Sequence, residues 1–405
     1  MADPIILREY DRLAMSSEFS QDDIADLRNQ DSRVFSFSNG NLVAQNYVGI
    51  FTTKSRRVIE ILPKIDFSSD SDKADKKTRE IFLSMLRHWR RKGFQELSSS
   101  QIRTLRNFPL LEAFIFLFLS NVRDLIRSGL ARRYIEVEEN LPYLRGRLDF
   151  TGQIRENLID QSNFYVRHDE FSENRPANRL IHKTLKLLRS QVTDSDNRQL
   201  LQQVTNPFSD IPASTNIHAD WNSHHVDRTM QHYKGVMNWI ILFLFDERLA
   251  TFAGSHENVS LLFPMEEVFE DFVIHSFRRY QNKYDVHSQG PRKPLASKDG
   301  DEGFYMKPDI SLKQGNSVRF ILDAKWKRVG QTNDLKYGIS QSDMYQLFAY
   351  GKNYDCKTVA LIYPKSDQYE QSRRFEFMVG DMSLLCFLFD VTDPEGSVNS
   401  FINSL

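Results

Sequence analysis

Apolar and polar residues alternate in short runs over the first 66 positions, as in NLVAQNYVGIFTT and RRVIEILPKI. Turn-forming residues at 38–41 and a charged tip at 54–57 separate these runs. Alternation with a period of two is typical of half-buried strands, because successive side chains point to opposite faces of a sheet. The pattern therefore predicts an antiparallel β region at the start of the chain.

Helical periodicity follows this region. An apolar stripe from Ile81 to Trp89 predicts a helix that ends near Gly93, and a more apolar run predicts a second helix over 109–130. The segment ARRYIEVEENLPYLRGRLDF then predicts strands around a turn at Pro142. We place the end of an N-terminal domain at residue 165 and treat 166–255, which is mostly helical in pattern, as a connector.

The last part of the chain alternates between the two periodicities. A helix, MEEVFEDFVIHSFRRY, precedes the strands FYMKPDISL and SVRFILDAKWK, and a second helix, SDMYQLFAYGKNY, precedes TVALIYP and RRFEFMVG. This order predicts a compact α/β domain over 256–405. The fold class is therefore multidomain α+β. The length of 405 residues agrees with a multidomain chain, since about 150 residues per domain suggests two or three domains.

Composition adds a constraint on partners. The 53 basic and 54 acidic residues give a net charge of −1, so any contact with nucleic acid needs a local basic patch. The run 73–106 offers one, because it holds ten Lys or Arg and three acidic residues. A solvated helix face would carry the same charges, and the sequence leaves both interpretations open.

Other features indicate the compartment. Cys356 and Cys386 form neither a disulfide framework nor a CxxC pair, and the longest apolar runs have seven residues, against about 20 for a membrane span. The first residues, MADPIILREYDR, lack the pattern of a secretory signal. We expect a cytoplasmic protein without a membrane partner.

The segment KPDISLKQGNSVRFILDAKWK carries the candidate chemistry. If its turn centres on Asn316, Asp309 lies opposite Asp323, and the strand period places Lys325 on the same face as Asp323. Two carboxylates can hold Mg²⁺, and a lysine can orient water and offset negative charge. The sequence therefore predicts a site for hydrolysis of a phosphodiester.

A structural salt bridge is the alternative interpretation, because Asp-x-Lys also occurs at 75–77, 334–336 and 355–357. Only Asp323 follows an apolar β run, and Pro308-Asp309 is the sole Pro-Asp in the chain. An aspartate at the end of such a run is costly to bury without a partner or metal. The catalytic interpretation is favoured.

This arrangement resembles the PD-(D/E)xK nuclease superfamily, which implies an α/β nuclease domain and Mg²⁺-dependent DNA cleavage. The resemblance implies that Glu270 joins Asp309 and Asp323 as a metal ligand, with Glu267, one helical turn away, as the alternative. It also implies that Gln346 and Tyr350, a Q-x-x-x-Y element on one helix face, border the site and contact DNA.

Across nearly the whole chain the sequence resembles the McrC family, the nuclease subunits of McrBC-type modification-dependent (5-methylcytosine-specific) restriction systems. The segments on which this resemblance depends are VIEILPKI, LRGRLDF, NRLIHKTLKLL and the hairpin described above. The resemblance implies a type IV restriction endonuclease subunit whose residues 1–165 dock into a hexameric McrB-like AAA+ GTPase. That partner would recognise double-stranded DNA carrying modified cytosine, and this chain would stimulate its GTP hydrolysis, with Arg328 as a candidate residue.

The chain lacks GxxxxGK[ST], so we expect no nucleotide site here and GTP on the partner only. Two other functions stay open. One is a non-catalytic adaptor that activates an AAA+ motor, and the other is a stand-alone DNA repair nuclease.

Overall fold

The computed structural model describes residues 4–14, 19–30, 32–65, 71–90, 94, 97–159, 161–224, 228–245, 259–298, 301–327, 338–366 and 372–405. The chain divides into two compact units. One unit joins Ala2–Leu110 to Leu262–Leu405, and the other is Leu111–Leu261.

Within its described residues, the first segment of the joined unit contributes strands to two small sheets and contains three helices. Its strands are β1 (Ile5–Arg8), β2 (Arg12–Ala14), β3 (Phe35–Ser38), β4 (Asn41–Ala44), β5 (Tyr47–Thr52) and β6 (Val58–Leu62). Its helices are α1 (Gln21–Arg28), α2 (Ser71–Leu86) and α3 (Ser99–Leu105). β1 and β6 pair in parallel, which differs from the purely antiparallel region predicted from the sequence. Successive side chains point to opposite faces in both kinds of sheet, so a period of two does not distinguish them.

The unit Leu111–Leu261 consists of a three-stranded sheet, ordered β7-β9-β8, and a set of helices. The strands are β7 (Arg133–Leu141), β8 (Arg147–Leu148) and β9 (Phe164–Ser172). The helices are α4 (Leu110–Ser128), α5 (Phe150–Asn157), α6 (Pro176–Leu188), α7 (Ser195–Thr205), α8 (Ile217–Ser223) and α9 (Lys234–Ile240), which continues as a π-helical turn over Ile241–Phe245.

The last segment builds a six-stranded sheet, ordered β11-β14-β15-β16-β18-β17. Its elements are β10 (Leu261–Pro264), α10 (Met265–Tyr280), β11 (Asp285–Ser288), β12 (Lys293–Lys298), β13 (Asp301–Met306), β14 (Ile310–Gln314), β15 (Ser317–Ala324), α11 (Gln341–Tyr354), β16 (Thr358–Pro364), β17 (Arg373–Glu376), β18 (Ser383–Phe389) and α12 (Pro394–Asn403). β10 joins the sheet of β1, β6 and β5 instead, and β12 pairs only with β13.

Helices cover both faces of the six-stranded sheet. On one face Leu347 and Tyr350 of α11 pack on Ile321 and its neighbours. On the other face Phe269 of α10 contacts Trp326, and α12 packs against α10 and β18. This α/β arrangement agrees with the predicted order of elements, and the mixed α+β class of the chain is confirmed.

Buried contacts tie the first and last segments together. Phe263 makes edge contacts with Phe82 and Trp89, at centroid distances of 5.8 and 5.3 Å. Trp326 Nε1 donates a hydrogen bond to the buried carboxylate of Glu9 at 2.8 Å. Residues near the N-terminus therefore share a core with the hairpin of interest.

The observed division differs from the predicted boundaries at 165 and 255. β9 pairs with β7 along its full length, so a boundary at 165 would cut through a sheet. Residues up to 110 pack with the C-terminal segment, an association between distant parts of the chain that local patterns cannot reveal. The predicted helix end at Gly93 lies outside the described residues. No described helix is long and apolar enough to cross a membrane.

Candidate active site

The two strands that carry the predicted carboxylates, β14 and β15, form a tight hairpin. Gln314 pairs with Ser317 across the turn, in which Gly315 adopts a φ of +61° that suits glycine. If this register continued along the strands, Asp309 would face Leu322. The two predicted carboxylates would then point to opposite faces of the sheet.

A β-bulge changes this register. The pairing shifts by one residue between positions 312 and 313, so that Ile310 faces Leu322. Continuing the shifted register places Asp309 opposite Asp323. The opposition predicted from the sequence is therefore present, but it arises from the bulge and not from a turn centred on Asn316.

Asp309, Asp323 and Lys325 come together on the face of the sheet that α11 covers. Asp309 Oδ2 accepts a hydrogen bond from the backbone N–H of Ala324 at 3.0 Å. Asp323 is almost fully buried, and its Oδ2 lies 2.7 Å from Lys325 Nζ. The parallel pairing of β15 with β16 continues to the backbone N–H of Lys325, which donates to Ile362 O at 2.9 Å. The sheet thus fixes the backbone of Asp323 and Lys325.

The surroundings of Asp309 and Asp323 disfavour a negative charge on both carboxylates at once. Burial raises the pKa of Asp309 to about 8, and the carboxylates of Asp323 and Glu270 act in the same direction. Burial also raises the pKa of Asp323, although Lys325 lowers it. For Lys325, burial lowers the pKa but Asp323 raises it more, so the ammonium form is favoured.

The donor set fits a divalent cation. Facing carboxylates that resist simultaneous ionisation supply hard oxygen ligands, and a cation between them would remove their repulsion. Within the described ranges, however, no three His, Cys, Asp or Glu side chains stand close enough to hold one ion between them.

α11 brings the predicted Gln and Tyr to the same place. Gln346 Nε2 donates to Asp323 Oδ1 at 3.3 Å and to Tyr350 Oη at 3.0 Å. Tyr350 Oη in turn donates to Lys307 O at 3.3 Å. The helix is capped by Ser340, whose hydroxyl accepts from the backbone N–H of Asp343 at 3.1 Å. Gln346 therefore lies in direct contact with a candidate metal ligand.

Glu270 lies beside Asp309 but has another partner. Its Oε1 is 2.9 Å from Arg90 Nη2 and accepts a hydrogen bond from Gln289 Nε2 at 3.3 Å. Burial raises the pKa of Glu270, and Arg90 lowers it. Glu267 is half-buried one turn earlier, and Arg328 lies outside the described residues.

Sequence reasoning missed Arg90, Gln289 and Asp343 as neighbours of the site. Arg90 reaches Glu270 and Asp271 from 180 or more positions earlier in the chain, so no local pattern could identify it. Asp343 Oδ2 lies 3.5 Å from Lys327 Nζ and is buried. Its place three residues after a serine was a detectable helix-capping pattern.

The basic run 73–106 is partly neutralised inside the fold. Arg79 pairs with the buried Glu60 at 2.6 Å, and Arg106 pairs with Glu80 at 2.6 Å. Together with Arg90, these guanidinium groups hold the fold together. Fewer of the ten basic side chains of this run are therefore available to a phosphate surface.

Comparisons with known proteins agree with the fold. The family described as McrBC 5-methylcytosine restriction system component matches residues 42–364. Among solved structures, the chain is similar to one in the refined half-complex of the tetradecameric assembly of Thermococcus gammatolerans McrB AAA+ hexamers with bound McrC. That match has a TM-score of 0.75 and 19% identity, and covers 99% of this chain and 100% of the other.

A chain of the Thermococcus gammatolerans McrBC complex, solved by cryo-electron microscopy, matches with a TM-score of 0.52 and 21% identity. This match covers 70% of the present chain and 89% of the other. No curated protein matches the sequence.

Proposed function

Because the chain belongs to the family of McrBC 5-methylcytosine restriction system components, we propose that it is the DNA endonuclease subunit of a GTP-dependent restriction complex. One observation carries the catalytic part of this proposal. Ile310 pairs with Leu322, and Asp309 Oδ2 accepts from the backbone N–H of Ala324 at 3.0 Å, which puts Asp309 beside Asp323, whose Oδ2 lies 2.7 Å from Lys325 Nζ. The surrounding helix, hairpin and helix support an assignment to the PD-(D/E)xK fold.

Asp309 and Asp323 would hold Mg²⁺, with the Ala324 carbonyl as a further donor. Glu270, which is paired with Arg90, would have to move toward the two aspartates to become a third ligand. When bound, the ion polarises a phosphoryl oxygen and lowers the pKa of a water molecule. Lys325 would orient the attacking water and offset negative charge that develops on the phosphate. Gln346 would hold Asp323 in place and, with Tyr350, border the DNA.

Substitution of Asp323 tests catalysis in the assembled complex. Asp323→Ala should reduce Mg²⁺-dependent cleavage of DNA carrying modified cytosine on the order of 10²- to 10³-fold or more, because it removes a candidate ligand and the partner of Lys325. Binding to the partner and GTPase stimulation should persist. The assay is gel-based cleavage with GTP and Mg²⁺.

Asp381→Ala is the matched control, since Asp381 lies in the same unit, pairs with Lys357 at 3.1 Å and is exposed. Full cleavage by the Asp323→Ala complex would favour the non-catalytic adaptor. Strong cleavage by the wild-type chain without partner or GTP would favour the stand-alone nuclease.

An unusual helix supports the docking part of the proposal. α5 lies within the region 1–165 assigned to the partner, and its apolar residues face outward. Phe150 and Ile154 in α5 and Leu158 directly after it, spaced four apart, are 71%, 63% and 68% exposed. We propose that this stripe contacts the McrB-like AAA+ GTPase hexamer, and that modified cytosine is recognised by that partner.

The contacts that α5 makes within its own unit come from a glycine and two polar residues. Gln153 and Asn157 hydrogen-bond to Asn163 O at 2.9 and 3.0 Å, and a Cβ at Gly152 would come within 2.1 Å of the ring of Tyr165. A surface helix normally buries its apolar side. The reversed arrangement is typical of a helix whose apolar side is covered by a partner.

A further inference from the structure

We infer that Asp343 is a positioning residue for Lys325: it is the second carboxylate that holds the lysine ammonium when Asp323 is engaged in the reaction. This inference rests on the proposed function and deepens it, because it says what directs the side chain assigned to the attacking water. It gives a role to a buried carboxylate in the first turn of α11.

α11 lies along the end of β15 and contacts it at two places. Gln346 Nε2 donates to Asp323 Oδ1 at 3.3 Å. One helical turn earlier, Asp343 Oδ2 lies 3.5 Å from Lys327 Nζ. Lys325 comes between Asp323 and Lys327 in the chain, and its Nζ is on the same side, 2.7 Å from Asp323 Oδ2. The lysine is therefore flanked by a carboxylate of its own strand and a carboxylate of the facing helix.

The charge of Asp343 acts on the same groups. Burial lowers the pKa of Lys325, and Asp323, Asp309 and Asp343 raise it. Burial raises the pKa of Asp323 and Asp343 adds to this effect, whereas Lys325 opposes it. Charges interact in this way in a buried region because little water screens them. Asp343 is thus part of the electrostatics of the site, although it belongs to α11 and not to the β14–β15 hairpin.

The pairing of Asp343 in this structure is weak. Its side chain is 7% exposed, whereas that of Lys327 is 46% exposed. Their separation of 3.5 Å exceeds the roughly 2.7–2.9 Å of a good charge-assisted hydrogen bond. A buried carboxylate is costly without a close partner, and an ion pair with a half-solvated lysine offsets little of that cost. Asp343 can therefore accept a shorter hydrogen bond from another ammonium.

Asp323 has more partners than two oxygens can serve. Its Oδ1 accepts from Gln346, and its Oδ2 contacts Lys325. Under the proposed function Asp323 is also a metal ligand, so Lys325 must share or lose the oxygen that it contacts here. Rotation of the lysine side chain toward Asp343 keeps the ammonium paired and close to the two aspartates. Asp343 then sets the direction of Lys325 during hydrolysis.

A crystal structure of the full-length Asp323→Asn chain, without metal or DNA, tests this contact directly. Asparagine removes the charge that holds Lys325 but keeps the size of the side chain. Lys325 Nζ should then lie within about 3 Å of a carboxylate oxygen of Asp343. A lysine that stays on position 323 or turns into solvent would overturn the inference.

Turnover of the complex assembled with the AAA+ partner, GTP, Mg²⁺ and modified DNA gives the second readout. Asp343→Asn should lower kcat for cleavage by about 10- to 100-fold with little change in the KM for DNA, because it misplaces Lys325 and removes no group that binds substrate. Lys327→Ala should not reproduce this fall in kcat. If Asp343→Asn does not fold, the Asp323→Asn structure still decides the question.

Asp390→Asn is the matched control. Asp390 lies in the same unit, and its Oδ2 is 3.6 Å from Lys365 Nζ, whose side chain is 46% exposed like that of Lys327. It should leave kcat unchanged. A fall in kcat as large as that of Asp343→Asn, in either Asp390→Asn or Lys327→Ala, would show that the loss does not arise through Lys325.

Asp323→Ala separates failure of this inference from failure of the proposed function. Normal cleavage by the Asp323→Ala complex would show that the catalytic site itself is misassigned. If Asp323→Ala loses cleavage while Asp343→Asn turns over like the wild type, the catalytic site stands and the role of Asp343 does not.

Discussion

At the scale of single residues, two histidines stack where α2 ends against α10. The rings of His88 and His275 lie 3.7 Å apart, and Phe272 lies 6.0 Å from His88. Burial lowers the pKa of His88 to about 4, and His275, Arg87 and Arg279 act in the same direction. Burial lowers the pKa of His275 as well, and the positive charges of Arg279 and Arg87 act in the same direction. The folded protein therefore keeps this pair neutral.

The histidine pair predicts how stability depends on pH. Below the ordinary His88 pKa of 6.5 the unfolded chain takes up a proton, and the folded chain does not until about pH 4. Stability from this pair is present above pH 6.5 and is lost as the pH falls toward 4. His88→Gln should give a shallower fall of the thermal unfolding midpoint over this interval.

His287→Gln provides the control, because His287 is exposed in the same unit. Equal slopes for the wild type and His88→Gln would contradict the assignment of this pH dependence to His88.

Candidate site residues could be predicted where the sequence places them close together. Gln346 and Tyr350 share one helix face, so the helix period was sufficient for them. Asp309 and Asp323 belong to one hairpin, but their opposition depends on a bulge that the strand period alone does not predict. Arg90 could not be found in this way. Its contact with Glu270 depends on the packing of two distant segments, and a single sequence carries no local signal for such a contact.

At the scale of elements, α5 provides a test of docking. Ile154→Asp places a charge in the middle of the exposed apolar stripe. Because Ile154 has little to bury within its own unit, the free energy of unfolding should change little. Affinity for the AAA+ partner should fall by about tenfold or more, with a parallel loss of GTPase stimulation.

Binding can be measured by pull-down titration and stability by thermal unfolding. Met378→Asp is the control, since Met378 is 99% exposed and belongs to the other unit. Loss of binding in both variants, or in neither, would contradict a docking role for α5.

Periodicity identified some elements to the residue and missed others. The segments predicted as MEEVFEDFVIHSFRRY and TVALIYP coincide with α10 and β16. β18, SLLCFLF, is buried at every position. A short continuous apolar run has neither helical nor strand periodicity, so its conformation could not be assigned. The short helix α1 has too few apolar residues to produce a stripe.

At the scale of the whole molecule, the joined unit makes a prediction about fragments. Residues 256–405 alone, the predicted nuclease domain, should lack stable structure. Phe263 would lose Phe82 and Trp89, and Trp326 would lose Glu9. Exposure of such large aromatic surfaces costs several kcal/mol, which is comparable with the total stability of a domain.

Circular dichroism and limited proteolysis of the fragment would check this prediction. Co-expression with residues 2–110 should restore protection. Cooperative unfolding of 256–405 alone would show that the two segments do not depend on each other.

The joined unit also imposes an order on synthesis. Residues 2–110 leave the ribosome first, yet their packing partners begin at position 262. At about 5–20 residues per second, translation of the intervening unit takes on the order of ten seconds, and that unit can fold meanwhile. During this interval Phe82 and Trp89 have no aromatic partner from the last segment. The nascent chain should therefore expose a site for chaperones near α2 until the segment that begins at position 262 has left the ribosome.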